Sequence, residues 1–321
     1  MKDFVSLRDF APEELRRVLE RAWQIKAQPD AYSNALKGQA LAMIFEKPSL
    51  RTRVTFDLGM HQLGGFPIYL SPEEVRLRKR ESVCDVAKNL ERMVQAIMIR
   101  TFGHDIVEQL AEYADIPVIN GLSDFSHPCQ AMADFMTMLE VKGRFAGLRV
   151  AFVGDGNNVA HSLMFASAQF GTELRIATPP GYEPHREAIQ WARARAAETG
   201  GSCNVMNDPA EAVCGSDVVY TDVWASMGQE QDAATRAELF RPYQVNRGLF
   251  ANAKPDAIFM HCLPAHRGEE VTDEVIDAPH SVVFQQAENR LYVQKAILFE
   301  LMAGDPAEWP SPGMLQEMAH A

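Results

Sequence analysis

The sequence predicts an α/β protein of two domains, each a parallel sheet flanked by helices, and three observations carry that expectation. At 321 residues the chain exceeds what one hydrophobic core comfortably serves. Short apolar runs alternate with helix-like stretches along most of its length, the pattern of strands joined by covering helices. The alternation is interrupted once, at Lys142-Gly143-Arg144-Phe145, and then resumes. The expected domains are therefore 1–142, completed by a C-terminal helical segment 288–321, and 146–287.

In the first domain, Pro12-Glu13-Glu14 opens a helix. Proline is tolerated in a first turn, where acids also favour the helix dipole. Leu15, Val18, Leu19, Ala22 and Ile25 share its apolar face, and Pro29 closes it. The run ALAMIF at 40–45 reads as a buried strand that Pro48 breaks. From Arg51, the apolar residues Val54, Leu58 and Leu63 recur at roughly helical spacing until Gly64-Gly65. Strand-like runs follow at 67–70, 96–100 and 117–120, alternating with helices at 82–93, 104–114 and 128–140.

The second series begins with an apolar strand at 148–154, the turn Gly154-Asp155-Gly156-Asn157-Asn158 and a helix over 159–170, a Rossmann-like start. Strands are expected at 173–178, 217–222 and 257–262, and a helix at 184–198. A last helix over 288–302 carries Leu291, Val293, Ile297, Leu298 and Leu301 and is expected to pack back on the first domain. The sequence has no internal repeat and no low-complexity tract.

Composition excludes several function classes. A net charge of −12 leaves no general basic face for nucleic acid or an anionic membrane, so any anion site must be local. No run approaches 18 apolar residues, and the opening Met-Lys-Asp-Phe leads into a charged amphipathic segment without a signal-like apolar region. Cys84, Cys129, Cys203, Cys214 and Cys262 form neither CxxC pairs nor a regular framework, which fits a reducing cytoplasm. Cysteines and histidines lack metal-ligand spacing, so no metal is expected. Gly154-Asp155-Gly156 lacks the third glycine of a dinucleotide fingerprint, and Ile176-Ala177-Thr178 offers no acid for a ribose; no cofactor is expected.

In open parallel sheets ligands bind past the carboxyl ends of strands, and here those positions are polar. Ser49-Leu50-Arg51-Thr52-Arg53 follows the first strand at a helix start, where unpaired N–H groups, the dipole and planar guanidinium forks suit a phosphate or carboxylate. Arg100-Thr101 and His127-Pro128-Cys129-Gln130 follow later strands. The second domain offers Asn157-Asn158, then Asp222 to Gly228, then His261-Cys262-Leu263-Pro264. The first domain thus presents cations and donors, the second an acid, amides and a thiol. That division suggests an anionic substrate, an amine-bearing one and reaction in a cleft between the domains. Singly, each feature has a plainer reading: Arg100 as a surface residue, His127 as a cap, Cys262 as a buried thiol, Asp222 as a turn former.

Together the motifs resemble those of the aspartate and ornithine carbamoyltransferases, almost from end to end. Phe-Glu-Lys-Pro-Ser-Leu-Arg-Thr-Arg at 45–53 resembles that family's carbamoyl-phosphate signature, and His127-Pro128-Cys129-Gln130 its His-Pro-x-Gln motif. Asp222-x-x-x-Ser226-Met227-Gly228 and His261-Cys262-Leu263-Pro264 are similar to the ornithine branch. The resemblance implies that Ser49, Leu50, Arg51 and Thr52 bind the phosphate, and that Arg100, His127, Gln130, Cys262, Leu263 and Arg290 complete the carbamoyl-phosphate site. It implies an ornithine site of Asn158, Asp222, Ser226 and Met227, with Asn157 in support, and catalytic roles for Cys262, Arg100, His127 and Thr52. Arg53, two positions further along the helix, is expected to turn away.

The implied reaction moves the carbamoyl group of carbamoyl phosphate to the side-chain amine of ornithine, giving citrulline and phosphate. Such chemistry needs fixed donors for a developing oxyanion, and Thr52, Arg100 and His127 are of the right type. The attacking amine must be neutral, and either a Cys262 thiolate or a phosphate oxygen could take its proton. Putrescine or an N-acylated ornithine are the alternative acceptors. The family implies a homotrimer or a multiple of one. One loop departs from the pattern: where many members read Gln-x-Gly-x-x-Glu-Ser and reach a neighbouring subunit's site, this chain has Arg76-Leu77-Arg78-Lys79-Arg80-Glu81-Ser82. Arg76 and Arg80 are either cations offered across a subunit boundary or part of a solvated basic loop.

Overall fold

A computed structural model describes residues 1–225, 232–304 and 309. The chain divides into two compact units, residues 1–132 with the chain from 288 onward, and residues 133–287. The helix Pro128–Lys142 runs across that division, and so does the helix Val283–Met302.

The first unit holds four parallel strands, β1 (Ala40–Phe45), β2 (Phe66–Leu70), β3 (Ala96–Arg100) and β4 (Val118–Leu122), in the order β2-β1-β3-β4. Strands covered on both faces have no polar side to show, which is why the inner pair β1 and β3 read as unbroken apolar runs. Edge strand β2 leaves Phe66 and Ile68 exposed. Phe45 pairs with Arg100, so the exits of β1 and β3 lie side by side at one end of the sheet.

The helix Leu50–Gln62 turns a different face inward from the one its apolar residues suggest. Its buried side consists of Thr52, Thr55, Phe56, Gly59 and Met60, while Val54 and Leu58 are 49% and 40% exposed. The reason lies in the last helix, Val283–Met302. A Cβ at Gly59 would lie 3.3 Å from Lys295 Cγ, and Thr55 Oγ1 is hydrogen-bonded to Gln294. That close approach admits only a small residue at position 59, so the packed side is the one bearing Gly59 and Thr55, with Phe56 and Met60 beside them, and Val54 and Leu58 are left outside. The last helix also gives Glu300 to Arg17 and Arg21 (2.9 and 3.2 Å) and Asn289 to Lys26 (2.8 Å), confirming its return to the first unit. It begins at Val283, five residues earlier than its apolar pattern shows.

The second unit holds five parallel strands, β5 (Arg149–Val153), β6 (Glu173–Ala177), β7 (Ser202–Met206), β8 (Val218–Thr221) and β9 (Ile258–His261), in the order β7-β6-β5-β8-β9. Strand β7 is the element that the sequence does not announce. It is an edge strand whose residues Ser-Cys-Asn-Val-Met bury only Cys203, so it carries neither alternation nor an apolar run. The helix Asn158–Phe170 is buried from Val159 to its end, and it directs its start at the exit of β5. There Gly156 has a backbone reason to be glycine: its N–H meets Tyr182 O at 2.9 Å, and a Cβ would stand 2.2 Å from Pro184 N. The Gly-Asp-Gly turn is thus a site of close backbone packing.

Candidate active site

In the first unit, the predicted anion-binding residues gather at the strand exits. Ser49 is extended and caps the helix Leu50–Gln62, its Oγ accepting from Thr52 N at 3.3 Å. This leaves the first turn, with the side chains of Arg51 and Thr52, beside the end of β3. Thr52 is fully buried, and its hydroxyl accepts from Arg290 Nη2 at 2.8 Å. Arg100 closes β3, while His127 and Gln130 flank the start of the helix Pro128–Lys142; with Arg290, all are buried.

His127 reports the electrostatics of this cluster. Burial holds its imidazole well below the usual histidine range, and the charges of Arg290, Arg100 and Arg51 push in the same direction. Both effects favour the neutral imidazole beside three guanidinium groups. Cys129, inside the motif, is structural: its Sγ donates to Asn120 O at 3.4 Å, and burial pushes the thiol up to about 12.

Three further contacts, absent from the sequence reading, tie the exit loops together. Lys47 Nζ, buried, meets Asp124 at 2.5 Å and stands 4.1 Å from the centre of the Phe102 ring. Glu46 is hydrogen-bonded to Thr101. Arg53 is exposed, with its guanidinium 3.9 Å over Tyr69, turned away as its helical position requires.

The basic loop is built differently from a glycine-containing one. Arg76 and Arg78 both adopt left-handed backbone, at φ 46° and 64°. Arg78 pairs with Asp105, and Arg80 Nη1 donates to Glu74 O at 3.3 Å. Ser82 caps the helix Val83–Leu90 through Asp85 N at 3.0 Å.

In the second unit the exits of β5, β8 and β9 converge on one carboxylate. Asp222 Oδ2 accepts from Asn157 Nδ2 at 2.8 Å, and its Oδ1 accepts from Cys262 Sγ at 2.9 Å. Asn157 also caps the helix Asn158–Phe170, its Oδ1 accepting from the N–H groups of Val159 and Ala160 at 2.9 and 3.2 Å. One amide side chain thus fixes both the helix start and the acid. In this geometry the Cys262 thiol is the donor and carries its proton. Asn158 is the first residue of that helix, and its carbonyl accepts from Ser162 Oγ at 2.9 Å. Ser226 and Met227, with Gly228, lie outside the described residues.

A second network, unseen in the sequence, braces the Cys262 turn. His261 Nδ1 accepts from Leu263 N at 2.8 Å, so its Nε2 carries the proton and donates to Glu270 Oε1 at 3.1 Å. Glu270 Oε1 also accepts from His266 N at 2.6 Å, and Gln286 Oε1 accepts from His261 N at 3.0 Å. Gln286 in turn donates to Asp134 and to the Tyr220 hydroxyl at 2.7 and 3.1 Å. Leu263 is held left-handed at φ 57°, a conformation that these bonds over-determine.

Asp222, His261 and Cys262 each offer a ligand-type atom within 4.8 Å of the others. Their donors and acceptors are already engaged: the thiol with the acid, and the two ring nitrogens with Leu263 N and Glu270. His266, Glu269 and Glu270 form a second such group, of which the first two are exposed.

A group of guanidinium charges around His127 and an acid–thiol–amide cluster thus each stand at the carboxyl ends of a parallel sheet. Comparison with known proteins narrows this. Residues 2–140 match the carbamoyl-phosphate-binding domain of the aspartate/ornithine carbamoyltransferases, and residues 146–301 match their aspartate/ornithine-binding domain. The chain is 55% identical over 308 residues to an ornithine carbamoyltransferase of Thermococcus kodakarensis, covering 94% of this chain and 97% of that one. It is 53% identical over 297 residues to that of Bacillus subtilis, covering 92% of each. The solved structure of the Pyrococcus furiosus ornithine carbamoyltransferase superposes with a TM-score of 0.92 at 55% identity, covering 95% of this chain and 98% of that one. The chain belongs to the aspartate/ornithine carbamoyltransferase family.

Proposed function

We propose that this enzyme transfers the carbamoyl group of carbamoyl phosphate to the side-chain amine of L-ornithine, giving L-citrulline and phosphate, a step of arginine biosynthesis. The reading is supported by two clusters, one in each unit: guanidinium groups around His127 in the first, and Asp222, Cys262 and Asn157 in the second. Relatives sharing more than half of their residues with this chain are ornithine carbamoyltransferases, and the Pyrococcus furiosus relative is described as anabolic.

In this reading the residues 1–142 with 288–321 form the carbamoyl-phosphate domain and 146–287 the ornithine domain. Ser49, the Leu50 backbone, Arg51 and Thr52 hold the phosphate. Arg100, His127, Gln130 and Arg290 hold the carbamoyl end, with Cys262 and Leu263 added on the family pattern. A neutral imidazole donates a hydrogen bond to the carbamoyl oxygen without holding a charge that would grip product phosphate. Asp222, Asn158, Ser226 and Met227 read the α-amino and α-carboxylate groups of ornithine. Because the thiol donates to Asp222, Cys262 is a poor proton acceptor in this arrangement, and a phosphate oxygen is favoured for the amine's proton.

The protein works in the cytoplasm as a homotrimer or a multiple of one. Support for self-association comes from Leu50, Val54 and Leu58, which line one side of a helix in solvent, and from Phe66 and Ile68 on edge strand β2. Among the described residues no helix is long and apolar enough to cross a membrane. The deciding experiment measures carbamoylation of ornithine, N-acetylornithine, putrescine and aspartate side by side. Preference for any acceptor but ornithine overturns the reading.

A further inference from the structure

Arg236, in the helix Ala233–Phe240, joins two loops that the proposed chemistry uses separately. Its Nη1 donates to Asp155 Oδ2 at 2.9 Å and to Trp224 O at 2.8 Å. Asp155 lies in the turn leaving β5, two residues before Asn157, and Trp224 lies two residues beyond Asp222. One guanidinium nitrogen therefore links the turn that carries Asn157 and Asn158 to the segment that carries Asp222. The Asn157–Asp222 bond of 2.8 Å is a second link between the same two loops. Arg236 is also braced from outside, its guanidinium 4.9 Å over the ring of Tyr182, whose carbonyl accepts from Gly156 N in the same turn.

The charge balance points the same way. Asp155 is buried, and burial together with nearby Asp222 works against its ionised form, while Arg236 supports it. Without Arg236, Asp155 would lose the cation that offsets the charge of Asp222. The turn bearing Asn158 would then relax away from Asp222.

We infer that Arg236 is a positioning residue for the amino-acid substrate. It touches no reacting atom; it fixes the spacing between Asn158 and Asp222, and thereby sets affinity for ornithine. This rests on the reading of those two residues as the α-amino site. A planar guanidinium is suited to the task because its rigid fork holds Nη1 between an acid and a carbonyl while its face lies over the Tyr182 ring, an arrangement that a lysine ammonium on a flexible stem reproduces less well.

The test compares Arg236→Gln, Arg236→Lys and the double variant Asp155→Asn/Arg236→Gln in the full-length enzyme. The readouts are steady-state citrulline formation, carbamoyl-phosphate binding by calorimetry and urea unfolding. Positioning predicts that Arg236→Gln raises the ornithine KM about 10- to 100-fold, the range for losing a partner that orients a binding group, with a smaller effect on kcat and none on carbamoyl-phosphate affinity. Arg236→Lys should fall between, and the double variant should stay impaired because the link to Trp224 is still missing. Full recovery of ornithine KM in the double variant would show charge compensation alone and overturn the proposal. So would lowered stability with unchanged KM in Arg236→Lys, the variant with the best prospect of folding. Citrulline formation by the unaltered enzyme in the same assay tests the underlying function separately.

Discussion

Arg290 donates to the hydroxyl of Thr52 at 2.8 Å, joining side chains 238 positions apart in sequence. Through this bond the last helix reaches the start of the helix Leu50–Gln62, where the proposed phosphate site lies. The Thr52 oxygen is thereby held as an acceptor of the guanidinium. Replacing Arg290 by Gln should weaken carbamoyl-phosphate binding by about 2–3 kcal/mol, the cost of truncating one member of a buried charged hydrogen-bonded set. Calorimetry would show this directly, and unchanged affinity would remove Arg290 from the site.

The neutral state of His127 makes a prediction about pH. The folded chain holds this imidazole well below its ordinary value of 6.5, so below that pH the unfolded chain binds the extra proton. The contribution of His127 to stability is therefore complete above about pH 6.5 and is lost progressively as pH falls beneath it. Urea unfolding from pH 8 to pH 5 should show a steeper acid loss in the unaltered protein than in His127→Asn. The difference should approach one proton, about 1.4 kcal/mol per pH unit. Parallel curves would mean that His127 protonates as readily folded as unfolded.

Asp222 should separate the two substrates. Its carboxylate is held from one side by Asn157 and from the other by Cys262, so Asp222→Asn leaves a side chain of the same shape without the charge that an α-ammonium seeks. Ornithine KM should rise about 100-fold or more, as expected when a charged partner worth about 3 kcal/mol is lost. Carbamoyl-phosphate affinity should hold. Equal losses for both substrates would contradict the assignment of acid and arginines to different substrates.

The sequence makes these sites legible to different degrees, for physical reasons. Strands buried on both faces must be apolar throughout, so β1, β3, β5, β8 and β9 and the polar residues at their exits stand out. The helix start at 49–52 is legible because Ser49, Arg51 and Thr52 are neighbours in one turn, with Ser49 as its cap. By contrast, β7 lies at an edge with one buried side chain and leaves no pattern. The inner face of the helix Leu50–Gln62 is misread because its partner helix approaches at Gly59 and hydrogen-bonds Thr55, two residues that an apolar pattern does not count. Glu270, Gln286, Asp134 and Arg236 look like ordinary surface polar residues in sequence. Gln286 meets Asp134 across 152 positions and Arg236 meets Asp155 across 81, while Glu270, only nine positions from His261, reaches it through a turn that no local pattern announces. Arg290 stands between, since it is visible through the family pattern and not through its own neighbours.

The basic loop offers the last test. Arg78 sits at φ 64°, where many family members have glycine, and a side chain there clashes with its own backbone at a cost of about 1 kcal/mol. What it gains is an ion pair with Asp105, but both side chains are largely exposed, and such pairs are worth little in water. Strain should therefore outweigh the lost pair, and Arg78→Gly should leave the folded protein equally stable or more stable by up to about 1 kcal/mol in urea unfolding. Asp105→Asn, which breaks the pair and keeps the strain, should not stabilise. If Arg78→Gly instead destabilises the protein clearly, the arginine has a partner beyond its own chain. Repeating the measurement at several protein concentrations would identify that partner as a second subunit, because only an intersubunit contact makes the loss depend on concentration.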